Sequence, residues 1–159
     1  MTKYFMCFFI VLSGSLFFPL CLHAENRIAL SKAQRVYVPA YSHIYSGDKE
    51  KPFLLTVTLS IRNIDPAHQI KITRVDYYET QGKLLKKYID SPISLNPLES
   101  LRYVIPERDK SGGSGANFIV EWQSDKRVNM PIIESIMIGT KSGQGISFTS
   151  RGREILSSE

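Results

Sequence analysis

Leu54 to Asp65 reads LLTVTLSIRNID, and its apolar residues fall on every second position. Leu55, Val57, Leu59 and Ile61 alternate with Thr56, Thr58, Ser60 and Arg62. A period of two places one set on a core and the other toward solvent, which is the pattern of a half-buried strand. Asn63, Asp65 and Pro66 end the run with turn chemistry.

The same signal recurs on either side. In IKITRVDYYETQGKLLKKYID, Ile70 and Ile72 share one phase and Val75 and Tyr77 the other, so a hairpin strand with a bulge near Thr73 and Arg74 is expected. Gly82 in TQGK supplies its turn. SPISLNPLESLRYVIPE reads as a short strand, an Asn96-Pro97 turn and a second strand through Leu101, Tyr103 and Ile105. Phe118, Val120 and Trp122 alternate in the next strand, which makes Trp122 a core anchor, and PIIESIMIGT and GISFTS form a C-terminal hairpin around KSGQG. Upstream, QRVYVPAYSHIYS reads as one or two edge segments, because Pro39 cannot donate into a central ladder. No interior segment keeps helical spacing and no repeat is present. The chain is therefore expected to be all-β, an immunoglobulin-like β-sandwich of about 7–8 antiparallel strands. Its single domain spans 35–153, between a flexible lead at 25–34 and a tail at 154–159.

Ahead of this domain lie Lys3, an almost uncharged apolar stretch from Tyr4 to Leu22, and Ala24 before the polar Glu25, Asn26 and Arg27. This is the layout of a secretory signal peptide cleaved after residue 24, and it predicts an exported protein with no integral span after cleavage. An uncleaved anchor and a lipoprotein acylated at Cys21 are the alternatives, the second disfavoured by Phe18, Pro19 and Leu20 ahead of the cysteine. Cleavage would remove Cys7 and Cys21, the only cysteines, leaving neither disulfides nor thiol chemistry. The net charge of +5 is scattered among both signs, as in GDKEK and PERDK, so no nucleic-acid footprint is expected.

DKSGGSGANF, Asp109 to Phe118, invites functional readings. It lacks the lysine and following helix of a phosphate-binding loop. Its order of Asp109, Lys110, Ser111, Gly112, Gly113 approaches a serine-protease nucleophile context, with His43 and Asp65 or Asp76 upstream, but Lys110 breaks the motif and one small domain cannot build two barrels. His43 and His68 are isolated, and no metal or other cofactor is expected. The simplest reading is a long connection between strands. Two arginines, Arg151 and Arg153, flank Gly152 after the last strand and could hold a carboxylate or phosphate.

LSIRNID, VDYYETQGKLLKKYID, ERDKSGGSGANFIVEW and MIGTKSGQGISFTSRG together resemble an uncharacterised bacterial family, the domain of unknown function numbered 3124. The resemblance runs from Val36 to Arg153. It implies a small exported domain, periplasmic or secreted and envelope-associated, with a signal or lipoprotein segment, and implies no activity, cofactor or catalytic residue. It directs attention to Ser111–Phe118 and Gly145–Gly152, with the expectation that Arg151 or Arg153 and Asn117 lie together and clamp the glycine loop or share a ligand. The expected role is non-catalytic binding of an envelope protein or a small anionic ligand through Asp109, Ser111, Ser114, Asn117, Arg151 and Arg153. A small hydrolase using Asp109 and Ser111, and an assembly subunit pairing through an edge strand such as VYVPAYSHIYS, are the rivals.

Overall fold

The structure is a computed structural model that describes residues 29–46, 48 and 50–156. The expected signal segment, the beginning of the lead and residues 157–159 lie outside the described residues. Among the described residues the chain forms the strands β1 (Ser31–Pro39), β2 (His43–Ser46), β3 (Lys51–Leu54), β4 (Thr56–Arg62), β5 (Ile70–Tyr78), β6 (Leu84–Lys87), β7 (Ile93–Leu95), β8 (Ser100–Ile105), β9 (Asn117–Val128), β10 (Ile132–Lys141), β11 (Gln144–Arg151) and β12 (Arg153–Glu154). A single 3₁₀ turn covers Gly113–Gly115.

The protein is all-β, and its strands pair antiparallel in two principal sheets. The first runs β12-β1-β9-β5-β6, with β7 also on β5; the second runs β11-β10-β4-β8. β2 and β3 make a separate small hairpin. The inner faces supply one shared core, as in a β-sandwich. Leu55, Val57, Leu59 and Ile61, the alternating residues of the opening stretch, are fully buried there against Ile72, Phe118, Val120 and Trp122 of the other sheet. Trp122 is only 1% exposed, and its Nε1 donates to Gln34 Oε1 at 3.1 Å, so the indole buries its apolar body without orphaning its N–H.

The expected bulge lies where the phase changes. Pairing between β5 and β9 slips between Ile72 and Arg74, after which Val75 and Tyr77 return to the core. At the end of β4, Asn63 and Asp65 are buried polar residues that tie three loops together. Asn63 Nδ2 donates to the carbonyls of His68, Leu95 and Asn96, at 2.9, 3.2 and 2.9 Å. Asp65 accepts from the backbone N–H groups of Ala67, His68 and Asn129, at 3.0, 2.8 and 3.0 Å. These donors favour the ionised carboxylate, led by the Asn129 N–H, and hold Asp65 well below the usual carboxylate range.

Several boundaries differ from the sequence expectation. β1 begins at Ser31, so the sheet takes in Ser31–Gln34 of the expected lead, and β12 includes Glu154 of the expected tail. β1 is also no edge: it pairs with β9 from Ser31 to Pro39 and with β12 at Val36 and Tyr37. Pro39 is harmless because it closes the strand, where its carbonyl accepts from the Ser135 hydroxyl. Short strands, β3, β6 and β12 among them, carry the number above the expected eight; two to four residues are too few to show a period. Between β11 and β12 the chain crosses from the second sheet to the first at Gly152, where a Cβ would stand 2.5 Å from Val36 Cγ1 and 2.9 Å from the Ile133 carbonyl oxygen.

Candidate functional site

The glycine loop leaves the second sheet after Ile105 and enters the first at Asn117. Its hydrogen bonds are made to its own fold. Thr80 donates from both its N–H and its hydroxyl to the Gly112 carbonyl, at 3.0 and 2.9 Å, and the same hydroxyl accepts from Gly115 N–H at 3.0 Å. Ser42 N–H donates to the Gly113 carbonyl and Ala40 N–H to that of Ala116. Gly112 rests on the ring of Tyr77, where a Cβ would fall 1.8 Å from the phenolic oxygen; Gly113 has φ of 77° with Thr80 Oγ1 in the way of any side chain. The glycines are thus required by close approach to Tyr77 and Thr80.

Asp109 and Ser111 close the first half of the loop as an Asx turn. Ser111 donates to Asp109 Oδ1 from its N–H at 3.0 Å and from its hydroxyl at 2.6 Å. Ser111 is exposed, Ser114 sits half-buried in the 3₁₀ turn, and Asn117 begins β9 opposite Pro39 and Tyr78. Beside the loop, Tyr88 stacks obliquely on Tyr103 at 4.7 Å between ring centroids and on Phe118 at 6.1 Å, covering one open side of the sandwich. Burial pushes the Tyr88 hydroxyl up to about 12, with further increments from Tyr77 and Asp109, and burial likewise raises Tyr77 and Tyr103. These phenols stay protonated at neutral pH and serve as packing.

The clamp expected from Arg151, Arg153 and Asn117 is not made among the described residues. Arg153 lies opposite Tyr37 on β1, and Arg151 lies opposite Glu134 on β10. Thr80, which sequence reasoning did not single out, holds the loop instead. Its signal was weak: a threonine in a hairpin turn, thirty or so positions away from its partner glycines.

The register of the second sheet gives Arg151 other company. On its outer face one row runs Arg151, Glu134, Ser60, Arg102, and the next runs Thr149, Ile136, Thr58, Val104. Ile138 and Val104 are 52% and 49% exposed, and Ile132 is exposed beside Arg62. Arg62 donates from Nε to Ser60 Oγ at 3.1 Å; among the described residues neither it nor Arg102 nor Arg151 has a carboxylate within salt-bridge distance. A cleft of about 220 Å³ opens between Arg62 and Arg102, lined also by Thr58, Ser60, Ser100, Leu101 and Ile136.

On the outer face of the first sheet Arg35 and Arg74 are paired, while Arg153 on β12 has no carboxylate within salt-bridge distance among the described residues. Arg74 reaches Asp76 Oδ2 at 2.7 Å, Glu121 Oε1 at 3.3 Å and the Tyr78 hydroxyl at 2.6 Å, while Arg35 reaches Glu121 Oε1 at 2.7 Å. The hydrogen bond that Arg74 donates to Asp76 is the main cause holding its guanidinium above the ordinary range. A shallow cleft of about 400 Å³ lies here; of its charged lining Arg35 and Glu121 are already joined, and Glu154 Oε2 accepts from Gln34 Nε2 at 2.9 Å. Among the described residues no three metal-ligating side chains converge, and no helix is long and apolar enough to cross a membrane.

No curated protein matches the chain. A crystal structure described as Thermotoga maritima 1070 is similar to it at 14% identity and a TM-score of 0.46, covering 78% of this chain and 96% of that one. Residues 33–155 match the family described as "Protein of unknown function (DUF3124)", most of the length of the chain, and the chain belongs to that family.

Proposed function

We propose that the chain is an exported, non-catalytic binding module whose partner is an acidic protein of the bacterial envelope, held on the outer face of the second sheet. The observation that carries this reading is the coincidence, on one face, of Arg62, Arg102 and Arg151, which have no carboxylate within salt-bridge distance among the described residues, and of the uncovered Ile132, Ile138 and Val104. Guanidinium forks match carboxylates in geometry and charge, and an apolar patch with an arginine rim is the composition of a protein-protein contact. The face lacks exposed aromatic rings, the usual anchors at a lipid surface, which favours a protein partner. Export rests on the layout of Lys3, the apolar Tyr4–Leu22 stretch and Ala24.

A hydrolase built on Ser111 is the rival. It needs a base to activate the hydroxyl, and that hydroxyl is engaged by the carboxylate of its own turn. The two readings separate by experiment. Tagged chain is recovered from its native envelope, its N-terminus is sequenced, and captured proteins are cross-linked and the linked residues mapped. The binding reading expects an N-terminus at Glu25 and cross-links from β8, β10 or β11 to one acidic protein, lost in Ile138→Glu and retained in Ser111→Ala. Retention in Ile138→Glu with loss in Ser111→Ala would overturn it.

A further inference from the structure

The cleft between Arg62 and Arg102 is the most specific feature of that outer face, and we infer that it is a preformed receptor for a carboxylate side chain of the acidic partner. The inference rests on the proposed partner surface and deepens it. Arg62 and Arg102 stand on neighbouring strands one diagonal step apart, since Ser60 is the residue opposite Arg102 and Ser100 the one opposite Arg62. Such diagonal positions are about 7–8 Å apart, a span that two long guanidinium side chains close around one oxyanion. Arg62 is oriented by its Nε donation to Ser60 Oγ, which leaves its terminal N–H groups for a ligand. Thr58, Ser60 and Ser100 line the cleft with hydroxyl groups, and Ile136 supplies an apolar wall. The acid on this face, Glu134, is not among the lining residues.

A second observation falls beside the cleft. Leu98, two residues before Ser100, has φ of 61° and is 69% exposed. It occupies the third position of the Asn96–Glu99 turn, closed by Glu99 N–H to the Asn96 carbonyl at 3.1 Å. Glycine or asparagine suits that position; a leucine costs roughly 1 kcal/mol or more there. Most of the side chain it displays faces solvent. A partner that places a carboxylate in the cleft and an apolar residue beside Leu98 accounts for both features.

The test uses the chain labelled with ¹⁵N and four probes: sodium acetate, inorganic phosphate, an acidic peptide of alternating glutamate and leucine, and its glutamine counterpart. The acidic peptide is expected to shift the Arg62 and Arg102 Nε–H signals and the Ser60 and Ile136 amides saturably, and the glutamine peptide to shift none of them. Arg102→Ala should weaken the acidic peptide about tenfold or more, the size of one charge-assisted hydrogen bond, while Lys126→Ala, an exposed cation on β9 of the other sheet, changes it less than about twofold. Leu98→Gly should raise the unfolding midpoint and weaken the peptide, two effects of opposite sign that a purely structural residue would not combine. Equal weakening by Arg102→Ala and Lys126→Ala, or saturation by phosphate at lower concentration than by the peptide, overturns the inference. If envelope capture is lost in Ile138→Glu yet the acidic peptide leaves the cleft unshifted, the partner surface stands and the cleft assignment fails. If the peptide fills the cleft but capture survives Ile138→Glu, the partner surface falls.

Discussion

The glycine loop and the outer face of the second sheet use their polar groups in opposite ways. In the loop, Thr80 and Ser42 engage the Gly112 and Gly113 carbonyls, and Asp109 engages Ser111. On the outer face, Arg62, Arg102 and Arg151 find no carboxylate among the described residues, whereas on the first sheet Arg74 and Arg35 share Glu121. The loop stands out in composition because its backbone must pass close to Tyr77 and adopt a positive φ. The face has ordinary composition, and its arginines without carboxylates among the described residues are the basis of the proposed partner contact. The unusual sequence therefore marks a conformational demand, while the proposed surface is marked by charges without counter-charges in the described fold.

Breaking the closed region should cost stability, and the largest loss is expected at Gly112. Gly112→Ala drives a methyl group into the Tyr77 phenol, and the resulting shift of a packed ring and loop should cost about 3 kcal/mol, read as a lower urea midpoint. Asp76→Ala on the first sheet removes the partner of Arg74 at a buried position; a loss of about 2 kcal/mol is expected in the same measurement. A loss below about 0.5 kcal/mol would mean that this network resembles exposed ion pairs and that the contrast between the two faces is overstated.

The Asn63–Asp65 corner sharpens the contrast through pH. Asp65 has its carboxyl held below its usual 3.8, so its ionised form stabilises the fold fully above that value. This contribution is lost as pH falls from about 4 toward the depressed folded value. Asp65→Asn should lower the unfolding midpoint at pH 7 and flatten the stability profile below pH 4, so that variant and parent converge in acid. Parallel profiles down to pH 2 would show that Asp65 is not held in this way.

The smallest change is expected on the open face. Arg151→Ala alone should alter stability by less than about 0.5 kcal/mol, as for surface substitutions away from packed features. A loss comparable to that of Asp76→Ala would reveal a structural partner for Arg151 and weaken the case that this face is spare.

Much of the fold was legible in the chain. The strict alternation of Leu55, Val57, Leu59 and Ile61 put β4 in the core, the phase change after Ile72 located the bulge, and the alternation of Val120 with Trp122 placed the indole inside. The candidate surface was not legible, for a specific reason. In PIIESIMIGT both phases are apolar, and the phase that faces the core carries Ser135, fully buried, while Ile136 and Ile138 face outward. Periodicity cannot choose between two apolar phases; the pairing of β10 with β4 chooses. The expected grouping of Arg151 or Arg153 with Asn117 failed similarly: Arg151 stands on β11 of the other sheet, and Arg153, on β12 of the same sheet as Asn117, is separated from it by β1.

By itself the sequence determined the class of the fold, since side-chain alternation, turn residues and the missing helical period are local properties that each segment displays alone. It also determined where the backbone would need glycine. Only the tertiary structure decided which arginines meet carboxylates and which do not, because that depends on the register between strands distant along the chain. Arg62 and Arg102 are separated by the whole of β5, β6 and β7, and they flank one cleft because β4 pairs with β8.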